Sequence, residues 1–278
     1  MTQSIDDSML TIYCFVDEFL KTHPILARWR RSPHAQPRFS DAEALTIALL
    51  QGVFAVATVK QAYRLVARNW RAAFPHLPSY QQWLARLHHL LPHVGRLLAT
   101  TCRHEANAAR LYLIDSKPLP VCQPIRHGRV RLLRDEGAYF GKTSKGWFFG
   151  FKLHVLRHIG GRILNIILTP GNWDDREPAL LLSQNVDGGV LLGDLGYRGP
   201  ECATCLAKEA DLLLITRDCV PAQHFLLSHL RQGIETTFSQ LWRKFVDRVF
   251  SRSWHGLWNT VQLKVLSYNL VHAGLLTA

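Results

Sequence analysis

Two short apolar runs each end on an acid, and that pairing limits what the chain can fold into. Leu111-Tyr-Leu-Ile-Asp115-Ser116 has the length of a strand, stops at a carboxylate and breaks into Lys117-Pro118. Val190-Leu-Leu-Gly-Asp194-Leu-Gly-Tyr197 repeats the pattern, with Gly193 and Gly196 permitting a sharp exit. Runs of this kind read as buried strands that deliver one carboxylate each to the rim of a sheet. An acid there is badly placed for packing, so an ion or a donor is expected to compensate it. Singly, either Asp has the ordinary alternative of opening a turn.

A third acid, Glu235, lies in the helical run Arg231-Gln-Gly-Ile-Glu-Thr-Thr-Phe-Ser-Gln-Leu, beside a stripe of Ile234, Phe238, Leu241 and Phe245. Arg231 precedes it by one turn on the same side. The plainer reading of that pair is a helix salt bridge of little weight. Three carboxylates from two strand ends and one helix suit Mg²⁺, a hard ion that prefers carboxylate oxygen and water. Two such ions, roughly 3.5–4 Å apart, hold the attacking and leaving oxygens of a phosphodiester in line, and Mn²⁺ can substitute. Asp115, Asp194 and Glu235 are therefore expected to be catalytic and metal-ligating, with Arg231 on the scissile or adjacent phosphate.

Charge points to the substrate class. Lys and Arg number 33 against 21 acids, a net charge of +12, with a pI near 9.8. Such an excess favours nucleic acid over a membrane surface. Between residues 126 and 157 stand Arg126, Arg129, Arg131, Arg134, Lys142, Lys145, Lys152 and Arg157, against only Asp135 and Glu136. That concentration beside Asp115 would steer and hold a phosphate backbone; its bland alternative is a solvated loop.

The first 105 residues read as helical. Residues 8–30 carry helical spacing (Leu10, Phe15, Phe19, Leu20), and Arg28, Arg30, Arg31 and Arg38 follow in a linker without an acid. Ser40-Asp-Ala-Glu43 is a capping box opening a helix to about 57. In the helix of about 59–73, Val59, Tyr63, Val66 and Trp70 form one stripe, and Lys60, Arg64, Arg68 and Arg71 form a cationic flank. After a Pro-containing turn, Ser79 caps a helix reaching about Leu98. The span 59–98 is a candidate helix-turn-helix, with Tyr80, Gln81, Gln82 and Arg86 near base edges, or an ordinary helical hairpin.

From about residue 106 to 278 the periodicity is mixed. Strands are expected at 110–115, 147–157, 162–168, 190–193 and 211–216, and helices at 176–184, 199–209, 222–247 and 256–273. The fold class is α/β, one mixed sheet flanked by helices behind an all-helical N-terminal domain. Asp174 reads as a helix cap, His154 as a core histidine, and Trp254 and Trp258 as core residues, although Trp254 could stack on a flipped base.

Several classes drop out. Apolar residues at 47% and charged residues at 19% are globular values. The start Met-Thr-Gln-Ser-Ile-Asp-Asp has neither a cationic beginning nor an apolar run, so no signal peptide is expected. Ala44–Val59 is short for a bilayer span. Six scattered cysteines suit a reducing cytoplasm. A zinc site of Cys202, Cys205, His224 and His229 is disfavoured, because a strand-like run separates the pairs. Neither a nucleophile elbow nor a Gly-rich phosphate loop occurs.

Taken together, Asp115 after a strand, Gly193-Asp194-Leu-Gly-Tyr197 and Arg231-x-x-x-Glu235-Thr-Thr-Phe-Ser resemble bacterial insertion-sequence transposases of the DDE type, which have a ribonuclease H-like core. The likeness spans about residues 105–273 and takes in Phe149-Gly-Phe-Lys-Leu-His154, Thr169-Pro-Gly-Asn-x-Asp174 and the Leu77-Pro-Ser-Tyr80 turn. It implies the same three acids as ligands of two Mg²⁺ ions, a nick that frees a 3′-OH, and attack of that hydroxyl on target DNA. It also implies a homodimer on double-stranded DNA in a bacterial cytoplasm, associated with the nucleoid. The family signature's Lys would fall at Trp242, with Arg243 and Lys244 the nearest cations, and no Tyr precedes Arg231. A stand-alone nuclease on the same core and a DNA-binding protein without catalysis are the alternatives.

Overall fold

The structure is a computed structural model and describes residues 4–23, 37–101, 109–129, 131–144, 146–184, 186, 188–219, 224–241 and 251–276. The arginine-bearing stretch 24–36, Lys145, and Trp242, Arg243, Lys244 and Phe245 lie outside the described residues. The chain packs into two units, one of Met1–Thr101, Arg243–Phe250 and Trp258–Ala278, the other of Cys102–Trp242 and Ser251–Leu257. A single boundary near residue 105 therefore describes the outward crossing only. The chain returns, and its last stretch joins the helical unit.

The helical unit starts with α1 (Ile5–Thr22), α2 (Asp41–Val53), α3 (Val59–Asn69), α4 (Tyr80–Leu90) and α5 (Val94–Thr100). Capping boxes open α1 to α4, pairing Ser4 with Asp7, Ser40 with Glu43, Thr58 with Gln61 and Ser79 with Gln82. Each satisfies two otherwise orphaned donors; the Ser40 and Ser79 caps stand where the sequence places them, whereas α1 opens at Ser4, ahead of the helical spacing read from residue 8. The expected helix of 59–73 stops at Asn69 and gives way to a short 3₁₀ turn, Arg71–Ala73. Likewise the helix expected to reach Leu98 is broken at Leu91–His93; Pro92 lacks the N–H that an uninterrupted helix would use.

Two helices of this unit are buried nearly all round. In α2, Ala44, Ile47, Ala48, Leu49 and Leu50 are fully enclosed. The last helix, α9 (Trp254–His272), buries every residue from Leu263 to Leu270, Lys264 included. A helix with no polar face must sit inside a unit rather than on it. Ser267 Oγ donates to the Leu49 carbonyl at 3.1 Å, and Asn269 Nδ2 donates to Thr101 Oγ1 at 3.0 Å.

The other unit holds a six-stranded sheet. Its strands are β1 (Leu111–Cys122), β2 (Tyr139–Thr143), β3 (Gly146–His158), β4 (Ile163–Pro170), β5 (Gly189–Leu192) and β6 (Leu212–Ile215). The order is β2-β3-β1-β5-β6, with β4 also on β3. Pairing is antiparallel among β1 to β4 and parallel for β1–β5 and β5–β6. The sheet is thus mixed and flanked by helices, as the α/β, ribonuclease H-like expectation requires. β2 was not foreseen: its residues pair with 146–150 in a hairpin inside what read as one basic loop.

The strand expected to end at Asp115 instead runs twelve residues, through Pro118 and Pro120. Proline is tolerated there because β1 has a partner on one edge only. β3 pairs with it from Tyr112 to Cys122, whereas β5 pairs only with Leu111–Leu113. The N–H groups that the prolines lack would face the open edge. One face of the sheet carries Tyr112, Ile114, Leu156 and Leu191 against α6 (Ala179–Ser183) and α7 (Pro200–Ala210). On the opposite face, a Cβ on Gly233 would lie 3.5 Å from Leu113 Cδ1, so α8 (His224–Leu241) comes close to β1 there.

Candidate active site

Parallel register brings the first two acids together. Leu113 is level with Leu192 across β1 and β5, and counting two residues on along each strand reaches Asp115 and Asp194. The two acids therefore stand at one level, Asp115 still paired with Val155 of β3 and Asp194 just past the end of β5, at the point where β1 loses its second partner. The Ser116 N–H donates to Asp115 Oδ1 at 2.8 Å, and the Gly196 N–H donates to Asp194 Oδ1 at 2.8 Å. Asp194 thereby caps the short 3₁₀ turn Leu195–Tyr197. Turn-forming and site-forming roles coincide in one residue.

Asp115 is reluctant to ionise. Burial pushes its pKa up to about 7; the Ser116 N–H and Arg231 pull the other way, while Asp194 and Asp175 add like charge. A carboxyl desolvated beside other carboxylates is poised to ionise fully once a cation arrives. Tyr197, closed off completely, has a hydroxyl without a hydrogen-bond partner. Burial first, then the charges of Asp175, Asp115 and Asp194, push that hydroxyl's pKa well above its ordinary value. These oxygens fit a hard divalent cation in type and charge. Among the described residues no three acid, His or Cys side chains are drawn together tightly enough to hold one ion.

The third expected acid stands differently. Two markers set the course of α8 along β1: Gly233 beside Leu113, and Phe238 under Lys117, whose Nζ is 5.7 Å from the ring centroid. Asp115 lies between those two β1 residues and Glu235 between those two α8 residues. Glu235 is exposed, while Ile234, Thr237, Phe238 and Leu241 are buried. Arg231 is half-buried, lines a cleft with Leu192, Gly193, Ile215, Arg217, Leu227 and Ser228, and has a buried Nε with no partner.

Asp175 was missed by sequence reasoning, which weighed its neighbour Asp174. Asp174 is locked locally: Arg176 donates to it twice, Nε to Oδ1 at 2.9 Å and Nη2 to Oδ2 at 2.6 Å, and holds its pKa down to about 2. It is not the cap of α6, which starts only at Ala179 with Pro178 as N-cap. Asp175 instead receives Lys152 Nζ at 2.9 Å. The only signal in the sequence was an Asp–Asp doublet after a strand exit. His154 is fully buried as expected, with Nε2 2.8 Å from Thr169 Oγ1, but its Nδ1 lies 4.0 Å from Asp175 Oδ1 without a hydrogen bond. Burial above all keeps it neutral, against the pull of Asp175.

The cations divide into two groups. Arg126, Arg129, Arg131 and Lys142 are exposed, the last beneath Trp147 with 5.7 Å from Nζ to the ring centroid. Arg134 is also exposed but donates to the His127 carbonyl and packs on Phe149. Two of the eight counted above face inward: Lys152 serves Asp175, and Arg157 is buried, donating to the carbonyls of His158 and Ile159. In the helical unit Lys60, Arg64, Arg68, Arg71 and Gln81 are exposed, and Gln82 is engaged in its capping box. Arg71 also donates to the Leu77 carbonyl. Arg86 is half-buried against Asp41 and the Phe39 carbonyl, so it is a packing residue rather than an outward-facing one. Trp254 packs on Phe151 at 5.2 Å.

Residues 105–243, half of the chain, match the family model described as Transposase DDE domain. No curated protein and no solved structure matches the chain.

Proposed function

Since the chain belongs to the transposases with a DDE domain, we propose that it binds the ends of an insertion sequence and cuts and rejoins DNA at Asp115, Asp194 and Glu235. DNA is the substrate class of the family, and the family works with divalent metal ions. The single observation that carries the finer reading is the level placement of Asp115 and Asp194 where β1 loses its second partner, with Arg231 acting on the Asp115 carboxylate.

Bound there, two Mg²⁺ ions (or Mn²⁺) would supply Lewis-acid stabilisation of the charge that grows on the attacking and leaving oxygens. Asp115 and Asp194 would hold them from the sheet and Glu235 from α8. Arg231, whose Nε is buried and unpartnered, would take a non-bridging phosphate oxygen, where its planar fork is best used. Arg126, Arg129, Arg131, Arg134 and Lys142 would grip the backbone without reading sequence. Lys60, Arg64, Arg68, Arg71 and Gln81 would meet the element end. Joining two ends in one event calls for two copies of the chain on DNA.

The test is a cleavage and strand-transfer assay on end-bearing duplexes with Mg²⁺. Asp115→Asn and Asp194→Asn are expected to abolish both reactions and keep DNA binding. Full cleavage by either variant would overturn the assignment. Cleavage without joined product in the unaltered protein would identify a stand-alone nuclease instead.

A further inference from the structure

Asp175 is an acid with one oxygen committed and the other turned toward the site. Lys152 Nζ donates to its Oδ1 at 2.9 Å and to the Trp173 carbonyl at 2.7 Å, so the ammonium is held at two points. The second oxygen, Oδ2, lies 3.4 Å from where a Cβ on Gly196 would stand, and Asp194 Oδ1 lies 2.8 Å from that same point. Two carboxylates thus face each other across a residue with no side chain to separate them. Asp175 also disfavours ionisation of Asp115.

A salt bridge with Lys152 accounts for only part of this. It explains Oδ1 and leaves Oδ2 directed at another acid, an arrangement that like-charge repulsion disfavours. It also leaves Tyr197 unexplained. That hydroxyl is wholly enclosed, has no partner and feels all three carboxylates, although burying an unsatisfied hydroxyl is unfavourable. His154 Nδ1 is a second enclosed polar atom without a partner, 4.0 Å from Asp175 Oδ1, the oxygen that Lys152 holds. One cation that draws the carboxylates closer than they now stand would offset the repulsion and give the Asp175 side a purpose beyond packing.

We propose that Asp175 is a further oxygen donor of the divalent-cation site, anchored through Oδ1 by Lys152 and presenting Oδ2 alongside Asp115 and Asp194. Lys152 is then the charge that steadies Asp175 while no cation is bound. The proposal rests on the reading of Asp115 and Asp194 as the cation-holding pair.

The experiment is Mn²⁺ binding to the full chain without DNA, followed by the paramagnetic signal of the free ion, with a thermal melt for each variant. Asp175→Asn should weaken binding by about tenfold or more, the range typical of residues that orient or complete a metal site. Lys152→Met should bind Mn²⁺ at least as tightly as the unaltered chain, because it removes a competing charge and leaves the carboxylate. A purely structural pair predicts the opposite pattern, in which both variants weaken binding alike, and that result overturns the proposal. So does unchanged binding by Asp175→Asn. Should Asp175→Asn melt early, Asp175→Glu is read in its place: it keeps the charge but moves the oxygens, and unchanged binding would again overturn the proposal. If Asp115→Asn also leaves Mn²⁺ binding intact, the fault lies with the pair itself rather than with Asp175.

Discussion

Asp115 on β1 and Asp194 just past the end of β5 each stand two residues beyond the level pair Leu113 and Leu192 of two parallel strands. Adjacent parallel strands lie only about 4.8 Å apart, so a shared level is enough to make two carboxylates neighbours. Burial above all, with Asp194 adding like charge against the pull of the Ser116 N–H, gives Asp115 its raised pKa of about 7.

That pKa has a consequence for stability. An acid whose folded pKa is raised holds its proton in the folded state while the unfolded chain has already released it. Between the unfolded value near 3.8 and the folded value near 7, stability therefore falls as pH rises, by up to roughly 4 kcal/mol. Below that window the penalty vanishes. Melts of the metal-free protein from pH 4 to 8 should show the decline, and Asp115→Asn should flatten it; equal slopes for the two proteins would refute the attribution.

Lys264 runs the other way. It is 3% exposed, and burial lowers its pKa to about 8. The unfolded chain binds the extra proton between about 8 and 10.5, so this residue makes stability rise with pH across that window. Lys264→Met should raise the melting temperature at pH 7, with a gain of roughly 1–3 kcal/mol, and remove the rise. A lower melting temperature for the variant would show that the ammonium has a compensating role.

Gly196 should tolerate no side chain. Its Cβ would come within 2.8 Å of Asp194 Oδ1, and the nearest thing to move is the carboxylate itself. Gly196→Ala is expected to cut Mg²⁺-dependent cleavage by about tenfold or more, since an ångström of misplacement costs that much or more. The melting temperature should change little. Normal cleavage by the variant would mean that the Asp194 carboxylate is free to relocate.

Arg129 and Arg131 are exposed and have the simplest surroundings of the basic segment. Replacing both with Gln should weaken DNA binding at every sequence tested. Each lost phosphate contact should flatten the plot of log affinity against log salt by about 0.9. An unchanged slope would remove this segment from the DNA-contacting surface.

The local devices were readable from the chain, and the reason is range. A capping box needs two residues three apart, as in Ser40 and Glu43, and an apolar run such as Leu111–Ile114 needs only its own composition. Asp115, Asp194 and the helical setting of Glu235 came from patterns of that span. β2 was lost because its five residues, Tyr-Phe-Gly-Lys-Thr, are too few to show a period. The end of β1 was misplaced because prolines read as a break, whereas an edge without a partner makes them harmless.

By itself, the sequence determined where α2 and α4 start, which of the longer apolar runs are strands, that the charge is cationic and which acids follow apolar segments. Only the tertiary structure decided that Asp175 lies across Gly196 from Asp194, that Arg86, Lys152 and Arg157 turn inward, and that the final helix returns to the first unit. Those outcomes depend on contacts between residues far apart in the chain. A side chain's neighbours across a sheet register or under a crossing helix leave no mark on its own local pattern.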